Sequence, residues 1–230
     1  MQFIAKVNNN NWTLEQEEAR HLKVVRFKIG DTINLFDGKG GLWLGKIEIL
    51  TDKSASGTIL KTLTPFKPKR KITLCFSVIS RPATEELLNM CTQAGVFALK
   101  PVISQRCEKD LIKKWQTKQE RWGQIILSAA KQCHTPYLPV LLEPQNFSDA
   151  VQNIKEKALI CYEEEHTLPL LEQVKKLNSE NLTIFIGPEG GYAESEIALA
   201  KQNNIIPVTL GDFILRAQSA AFAAVWGAMQ

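Results

Sequence analysis

The 230-residue sequence predicts an α/β protein in which a mostly parallel sheet follows a smaller, β-rich region. Three observations predict this. From residue 72 onward, short runs of β-branched residues alternate with helical patterns, as they do in parallel sheets. Before residue 64, the strand patterns alternate apolar and polar residues. Between the two regions lies the segment 64–71 (TPFKPKRK), whose two prolines and four basic residues mark a linker.

The N-terminal region is predicted to contain four strands and one helix, which could together close into a small barrel. A helix is expected over residues 14–26, with Thr13 placed to cap it. The segment Asp37-Gly38-Lys39-Gly40-Gly41 is a strong hairpin signal between two of the strands. The strands are expected at residues 3–7, 32–36, 42–49 and 56–63.

The C-terminal region is predicted to alternate five strands with five helices. Ligands of parallel sheets bind beyond the carboxyl ends of the strands, so we expect the functional site in the loops that follow them. The strands are expected at residues 72–79, 100–104, 158–162, 182–186 and 206–210. The helices are expected at residues 84–95, 119–132, 168–177, 194–202 and 217–229.

Composition restricts the class of protein. The chain is 44% hydrophobic and 23% charged, and no apolar run reaches the roughly 18 residues that a membrane span needs. The N-terminus lacks a signal-peptide pattern, so a cytoplasmic location is expected. Five cysteines without a CxxC pair predict neither a disulfide framework nor a zinc site, and we expect no metal. A net charge of +4 permits a nucleic-acid partner without requiring one.

A glycine-rich loop follows the predicted strand that ends at residue 186: FIGPEGGYAESEI, residues 185–197. Its glycines, at 187, 190 and 191, match neither the dinucleotide fingerprint nor the P-loop, which needs a lysine after its last glycine. Glu189 between them would repel a phosphate. The loop is therefore predicted to bind a ligand with donors, acceptors and positive charge. A Cβ at Gly190 is expected to meet that ligand or to forbid a positive φ. The alternative is a plain tight turn.

A second glycine turn ends the next strand, where Leu210-Gly211 leads through Ile214-Leu215-Arg216 into the last predicted helix. Two such loops side by side could hold a planar ring, with Ile214 and Leu215 supplying apolar contact. The predicted ligand-binding residues of the two loops are Gly187, Glu189, Gly190, Gly191, Leu210, Gly211, Ile214 and Leu215.

In combination, FIGPEGGYAESEI and LGDFILRAQSA resemble the SPOUT class of S-adenosylmethionine-dependent RNA methyltransferases. The match is closest to the RsmE family, which methylates N-3 of a uridine in 16S ribosomal RNA. That family typically has GPEGG, a glutamate in the next helix, and then LG-x-x-ILR-x-ETA. Glu196 matches the glutamate. The N-terminal segment HLKVVRFKIGDTINLFDGKGG resembles the PUA-like barrel of the same family.

The resemblance implies a SPOUT-like, trefoil-knotted, mostly parallel sheet with an N-terminal PUA-like β-barrel. It implies an RNA-binding barrel with linker at residues 1–70 and a methyltransferase domain at residues 71–230. It further implies S-adenosyl-L-methionine as cofactor, 16S ribosomal RNA of the small subunit as partner, and a homodimer that pairs at the cofactor site.

Methyl transfer to uridine N-3 needs alignment of the acceptor and stabilisation of the anion left by the lost proton. Arg216 is the first candidate for ordering this region, and Arg106 for RNA contact or anion stabilisation; a structural salt bridge or a surface charge is the alternative for each. The residues expected to bind RNA are His21, Arg26, Lys67, Lys69, Arg70, Arg81 and Gln132. For the basic residues of the linker, simple solvation of the charges is an equal alternative to contact with phosphates.

Three segments depart from the family pattern on the substrate side. Gln218-Ser219-Ala220 stands where ETA is usual, so a carboxylate is missing beside Arg216. Arg81-Pro82-Ala83 replaces a lysine-containing turn, and residues 129–134 (AAKQCH) keep Gln132 of E-Q-S-G-R but no arginine. Two alternatives therefore stay open: a non-catalytic RNA-binding paralogue, and an enzyme of this fold with another acceptor, such as a ribose 2′-hydroxyl.

Overall fold

The computed structural model of the protein describes residues 2–113 and 115–230, apart from the side chain of Leu111. The chain forms two compact units. The first comprises the residues up to Lys67 together with Leu127–Leu138, and the second comprises Pro68–Ile126 together with Pro139–Gln230. The domains predicted from the sequence were contiguous, whereas the first unit also takes Leu127–Leu138. Within the described residues, no helix is long and apolar enough to cross a membrane.

Among the described residues, the first unit contains six strands, one complete helix and the end of a helix that begins in the second unit. Its sheet has the order β1-β4-β5-β6-β3-β2, and of the described pairs only β1 with β4 is parallel. The strands are β1 (Gln2–Ile4), β2 (Lys6–Asn8), β3 (Asn11–Leu14), β4 (Thr32–Phe36), β5 (Leu42–Leu50) and β6 (Ala55–Thr62), and the helix is α1 (Gln16–Val24). Strands β1 and β2 are separated only by Ala5, so the first and last strands in this order belong to one continuous segment of the chain.

The start of α1 differs from the prediction. Thr13 lies in β3, where it pairs with Ser56 of β6, and the residue that precedes the helix is Glu15, whose side chain makes no capping hydrogen bond. The predicted Thr13 cap is therefore wrong, because cross-strand pairing extends β3 through Leu14. Strand β3 was not predicted, because residues 11–13 were assigned to the connection before the helix and Leu14 to the first position of the helix. Trp12 and Leu14 of β3 are buried in the core of this unit.

The hairpin between β4 and β5 forms as predicted. Oδ1 of Asp37 accepts hydrogen bonds from the backbone N–H groups of Lys39 and Gly41, each at 2.8 Å, which is the local bond that makes aspartate favourable in turns. The same hairpin explains why Leu127–Leu138 joins this unit. Gly40 N donates to Pro136 O at 3.1 Å and Leu138 N donates to Gly38 O at 2.9 Å.

The second unit is an α/β structure in which every described strand pair is parallel, as predicted. The sheet order is β10-β8-β7-β12-β11-β13, with β9 also paired to β8. The strands are β7 (Lys71–Ser77), β8 (Ala98–Ile103), β9 (Val140–Leu141), β10 (Gln145–Asn146), β11 (Lys157–Cys161), β12 (Asn181–Ile186) and β13 (Ile206–Val208). The helices are α2 (Arg81–Gln93), α3 (Trp115–Cys133, whose last turns belong to the first unit), α4 (Phe147–Gln152), α5 (Leu170–Leu177), α6 (Glu194–Gln202) and α7 (Ala217–Met229), with a short 3₁₀ helix at Lys109–Ile112.

Burial on both faces explains the apolar sequences of the central strands. Leu74 of β7 and Ile184 of β12 are fully buried, as both faces of a parallel sheet covered by helices require. Helix α7 packs against α2, and the buried positions of α7 are mostly alanines, which allow close approach. In this unit the elements that were not predicted, β9, β10, α4 and the 3₁₀ helix, span only two to six residues, too few for a periodic pattern.

Candidate functional site

The carboxyl ends of β11, β12 and β13 open into a cavity of about 640 Å³ in the second unit. Strand β11 lies between β12 and β13 in the sheet, so its end separates the two glycine loops. All eight predicted ligand-binding residues line this cavity, and so does Arg216. Among the lining residues that sequence analysis did not assign to the site, Cys161 ends β11, and Tyr162, Glu163 and His166 follow it.

The first glycine loop owes its shape to Gly191. This residue has φ of +67°, and its N–H donates to Pro188 O at 2.9 Å to close a turn. Gly190 does not have a positive φ, so the prediction that a side chain at Gly190 would forbid a positive φ is wrong. That restriction applies to Gly191 instead. A Cβ on Gly190 would lie 3.5 Å from the nearest atoms, Cβ and Cδ of Arg106, which is ordinary contact. Gly187 faces the ring of Tyr192, 3.2 Å from where its Cβ would be.

The segment that follows β8 supports the outer side of this loop. Nη1 of Arg106 donates to Gly190 O at 2.8 Å, although Arg106 does not line the cavity itself. Gln105 N donates to Oε1 of Glu196 at 2.9 Å, and the other oxygen of that carboxylate accepts from Ala193 N at 3.0 Å. The glycine loop and the segment after β8 are therefore fixed to each other by hydrogen bonds.

The second glycine loop is open to solvent. Gly211 has φ of +121°, and its N–H donates to Oγ1 of Thr209 at 3.1 Å. Beyond it, Phe213 is 86% exposed and Ile214 is 88% exposed. Arg216 precedes the first residue of α7 and is also exposed. Consecutive apolar side chains thus stand at the mouth of the cavity, beside a guanidinium.

The charged lining of the cavity is predominantly acidic. Glu163, Glu189 and Asp212 line it, together with one arginine, Arg216. Such a lining suits a ligand with positive charge better than a phosphate. Desolvation raises the pKa of the Cys161 thiol to about 12, which favours its protonated form.

The predicted RNA-binding residues of the first unit are partly engaged. The ring of His21 packs edge-on against Phe3, with 5.5 Å between ring centroids, and its Nδ1 lies 3.3 Å from Nζ of Lys131. Lys131 in turn forms an ion pair of 2.6 Å with Glu18. The predicted residues Arg26, Lys67 and Gln132 are exposed, and Arg26 has a positive φ of 66°.

In the second unit, the predicted RNA-binding residues mostly contact protein groups. Arg70 donates to the carbonyls of Ser179 and Ala228, at 3.2 and 3.1 Å. Nζ of Lys69 lies 3.4 Å from the carbonyl of the last residue, Gln230. Nε of Arg81 donates to Glu85 at 3.0 Å, and Arg81 lines a second cavity of about 490 Å³ at the start of α2.

Comparison with known proteins identifies the family. Residues 66–229 match the model of an RNA methyltransferase domain, and residues 14–60 match an RNA methyltransferase PUA domain. The ribosomal RNA small subunit methyltransferase E of Synechocystis is 31% identical over 93% of this chain and 71% of its own length. The chain belongs to the ribosomal RNA small subunit methyltransferase E family.

Solved structures of this family and its relatives share the fold. The ribosomal RNA small subunit methyltransferase E of Neisseria gonorrhoeae, solved bound to S-adenosylmethionine, has a TM-score of 0.89 and 29% identity over 97% of this chain and 94% of its own. A methyltransferase of Legionella pneumophila, solved with the same cofactor, has a TM-score of 0.85 and 25% identity over 97% and 94%.

One departure from the methyltransferase E pattern has a structural counterpart. Gln218 replaces the glutamate of ETA, and its Nε2 donates to Oε2 of Glu86 on α2 at 3.2 Å. A carboxylate is therefore present at this point of the α2–α7 contact, although it is carried by α2.

Proposed function

We propose that this chain uses S-adenosylmethionine to methylate N-3 of a uridine in 16S ribosomal RNA. The observation that carries the proposal is the cavity enclosed by two glycine loops, with an acidic lining and no phosphate-binding motif. Relatives named as small subunit methyltransferase E, and solved relatives that hold S-adenosylmethionine, support the same activity.

The lining of the cavity fits this cofactor. A volume of about 640 Å³ lies in the range of small-molecule sites. Backbone groups of the two glycine loops would hydrogen-bond the adenine and the amino-acid portion, and Ile214 and Leu215 would supply apolar contact with the ring. The carboxylates of Glu163, Glu189 and Asp212 would favour its positive charge. When bound, the cofactor supplies a methyl group that is already activated by the sulfonium.

The protein then has to hold the acceptor and stabilise its anion. Arg216 stands exposed at the mouth of the cavity, where a guanidinium would favour loss of the uracil N-3 proton. Arg106 uses Nη1 to hold Gly190 O, and a guanidinium has further N–H donors available for RNA. We therefore assign Arg216 to stabilising the acceptor anion and Arg106 to contacting RNA beside the first glycine loop.

The finer architecture belongs to the same proposal. We assign residues 1–70 to a PUA-like RNA-binding barrel with its linker, supported by the continuous segment at both ends of the six-stranded path. Residues 71–230 form the catalytic domain, with the trefoil knot that the resemblance implies. The exposed side chains of Phe213, Ile214 and Trp226 support a homodimer that covers the mouth of the cavity.

Two measurements test the function. Calorimetry is expected to show binding of S-adenosylmethionine and of its demethylated product, and no requirement for ATP or NAD. Small-subunit RNA incubated with the protein and labelled cofactor is expected to yield 3-methyluridine on nucleoside analysis. Cofactor binding without any RNA product would instead indicate a non-catalytic paralogue, and a 2′-O-methyl nucleoside would indicate another acceptor.

A further inference from the structure

We propose that Glu196 is a positioning residue. It would set the shape of the first glycine loop (residues 187–193) by joining that loop to the segment after β8, residues 105–106. The proposal rests on the proposed function, because it concerns the same cavity. Glu196 does not line that cavity, so it would act through the backbone of the loop rather than by touching the ligand.

The Glu196 carboxylate is buried and both of its oxygens are used. The residue is only 5% exposed, and it lies in the first turn of α6. Oε2 accepts from Ala193 N at 3.0 Å and Oε1 accepts from Gln105 N at 2.9 Å. An acidic side chain is favourable here because the first turn of a helix has unsatisfied N–H groups and a positive dipole end. The second bond reaches a segment 91 residues away in sequence.

Two further hydrogen bonds join the same two segments. Nε2 of Gln105 donates to Oγ of Ser195 at 3.0 Å, and Nη1 of Arg106 donates to Gly190 O at 2.8 Å. Both of these are exposed to solvent, whereas the bond from Ala193 to Glu196 is buried and the bond from Gln105 to Glu196 is partly buried. Solvent-exposed hydrogen bonds contribute less to stability, so we infer that Glu196 is the principal tie.

These hydrogen bonds connect the segment after β8 with the first glycine loop. Residues 105–106 carry Arg106, the candidate for RNA contact, while residues 187–193 carry the cofactor glycines. A carboxylate that holds both segments would set the distance between the Arg106 guanidinium and the first glycine loop. Loss of this tie would therefore weaken cofactor binding even though no ligand contact is removed.

The decisive variant is Glu196→Gln in the full chain. The amide has nearly the same shape, but it presents one acceptor and one NH₂ donor where two acceptors are required. One backbone N–H then faces a donor, and the loop has to shift. Calorimetry is expected to show a Kd for S-adenosylmethionine raised roughly tenfold or more. Hydrogen exchange is expected to accelerate at the amide of Gln105 or Ala193, with the central strands unchanged.

Ser195→Ala is the matched control, because it removes only the exposed bond to Gln105 from the neighbouring position. Its Kd is expected to stay within about threefold of the wild-type value, since exposed hydrogen bonds contribute little. Glu196→Gln with wild-type affinity and wild-type exchange at both amides would overturn the proposal.

Wild-type measurements decide the remaining cases. If Glu196→Gln does not fold, exchange in the wild-type chain is the test: the amide of the exposed residue Gln105 is expected to be protected, and rapid exchange there would refute the tie. If the wild-type chain binds no S-adenosylmethionine, the proposed function fails. The exchange experiment then still decides whether Glu196 holds the two segments together.

Discussion

The carboxylate of Glu163 lies directly against Gly191: a Cβ on Gly191 would come within 1.9 Å of Oε1 of Glu163. Gly191 also has φ of +67°, a conformation that side chains other than glycine rarely adopt. Gly190 has neither restriction. The adjacent glycines of GPEGG therefore have different reasons to be glycine, and they can be separated by experiment.

Gly191→Ala is expected to destabilise the fold, by about 1–3 kcal/mol of backbone strain, and to displace Glu163 from the cavity wall. Cofactor affinity should fall by more than the unfolded fraction explains. Gly190→Ala is the matched variant, and its melting temperature is expected to stay near the wild-type value. Thermal melting and calorimetric titration on the same samples provide the comparison. A Gly191→Ala chain that melts and binds like the wild type would contradict this account.

Arg216→Ala is expected to lower kcat roughly 100-fold, because it removes the proposed cation beside the acceptor anion. The Kd for S-adenosylmethionine should change by less than about threefold, since the side chain is exposed at the mouth of the cavity. Arg216→Lys keeps the charge and is expected to recover part of the rate. Single-turnover kinetics with small-subunit RNA measures the step, and full turnover in Arg216→Ala would refute the assignment.

Substitution of Arg70 is expected to lower stability, whereas substitution of Lys67 is expected to weaken RNA binding. Arg70→Ala removes donors to the carbonyls of Ser179 and Ala228 and should cost about 1–3 kcal/mol of unfolding free energy. Lys67→Ala, at an exposed position, should leave stability unchanged, weaken RNA binding and reduce the salt slope of log K by about one. Urea denaturation and RNA titration at several salt concentrations check both. A reversed pattern would show that Arg70, rather than Lys67, is free to bind RNA.

Glu85 predicts a pH dependence of stability. Arg121 donates to this carboxylate with Nε at 2.5 Å and Nη2 at 2.8 Å, and Arg81 adds a bond of 3.0 Å. Hydrogen bonds from Arg121 lower the pKa of Glu85 from about 4.5 to about 2. A carboxylate with a lowered folded-state pKa stabilises the fold above its unfolded pKa, and this contribution is lost as the pH falls from about 4.5 to about 2.

Glu85→Gln is therefore expected to reduce the unfolding free energy by about 1–2 kcal/mol at pH 7, a value discounted because both arginines are half exposed. The difference between variant and wild type should vanish near pH 2. Urea denaturation at both pH values is the measurement. An equal difference at both would mean that the ion pairs do not cause the effect.

Much of the fold and of the site is specified locally in the sequence. The alternation of β-branched runs with helical patterns predicted the parallel sheet, because the hydrophobic period reports which faces are buried. The positions of glycine after two strands predicted residues that do line one cavity, because a loop at the carboxyl end of a parallel strand has few other places to lie.

Tertiary structure alone decided which distant groups meet. Strand order placed β11 between the two glycine loops and so brought Glu163 to the cavity, and the fold gave Glu196 its partner at Gln105. The fold also determined that Arg70, one of several basic residues in the linker, donates hydrogen bonds to two backbone carbonyls. These outcomes depend on non-local strand pairing and on the need of buried polar groups for partners. Neither has a local signature, so a sequence read along the chain specifies the loops but not their neighbours.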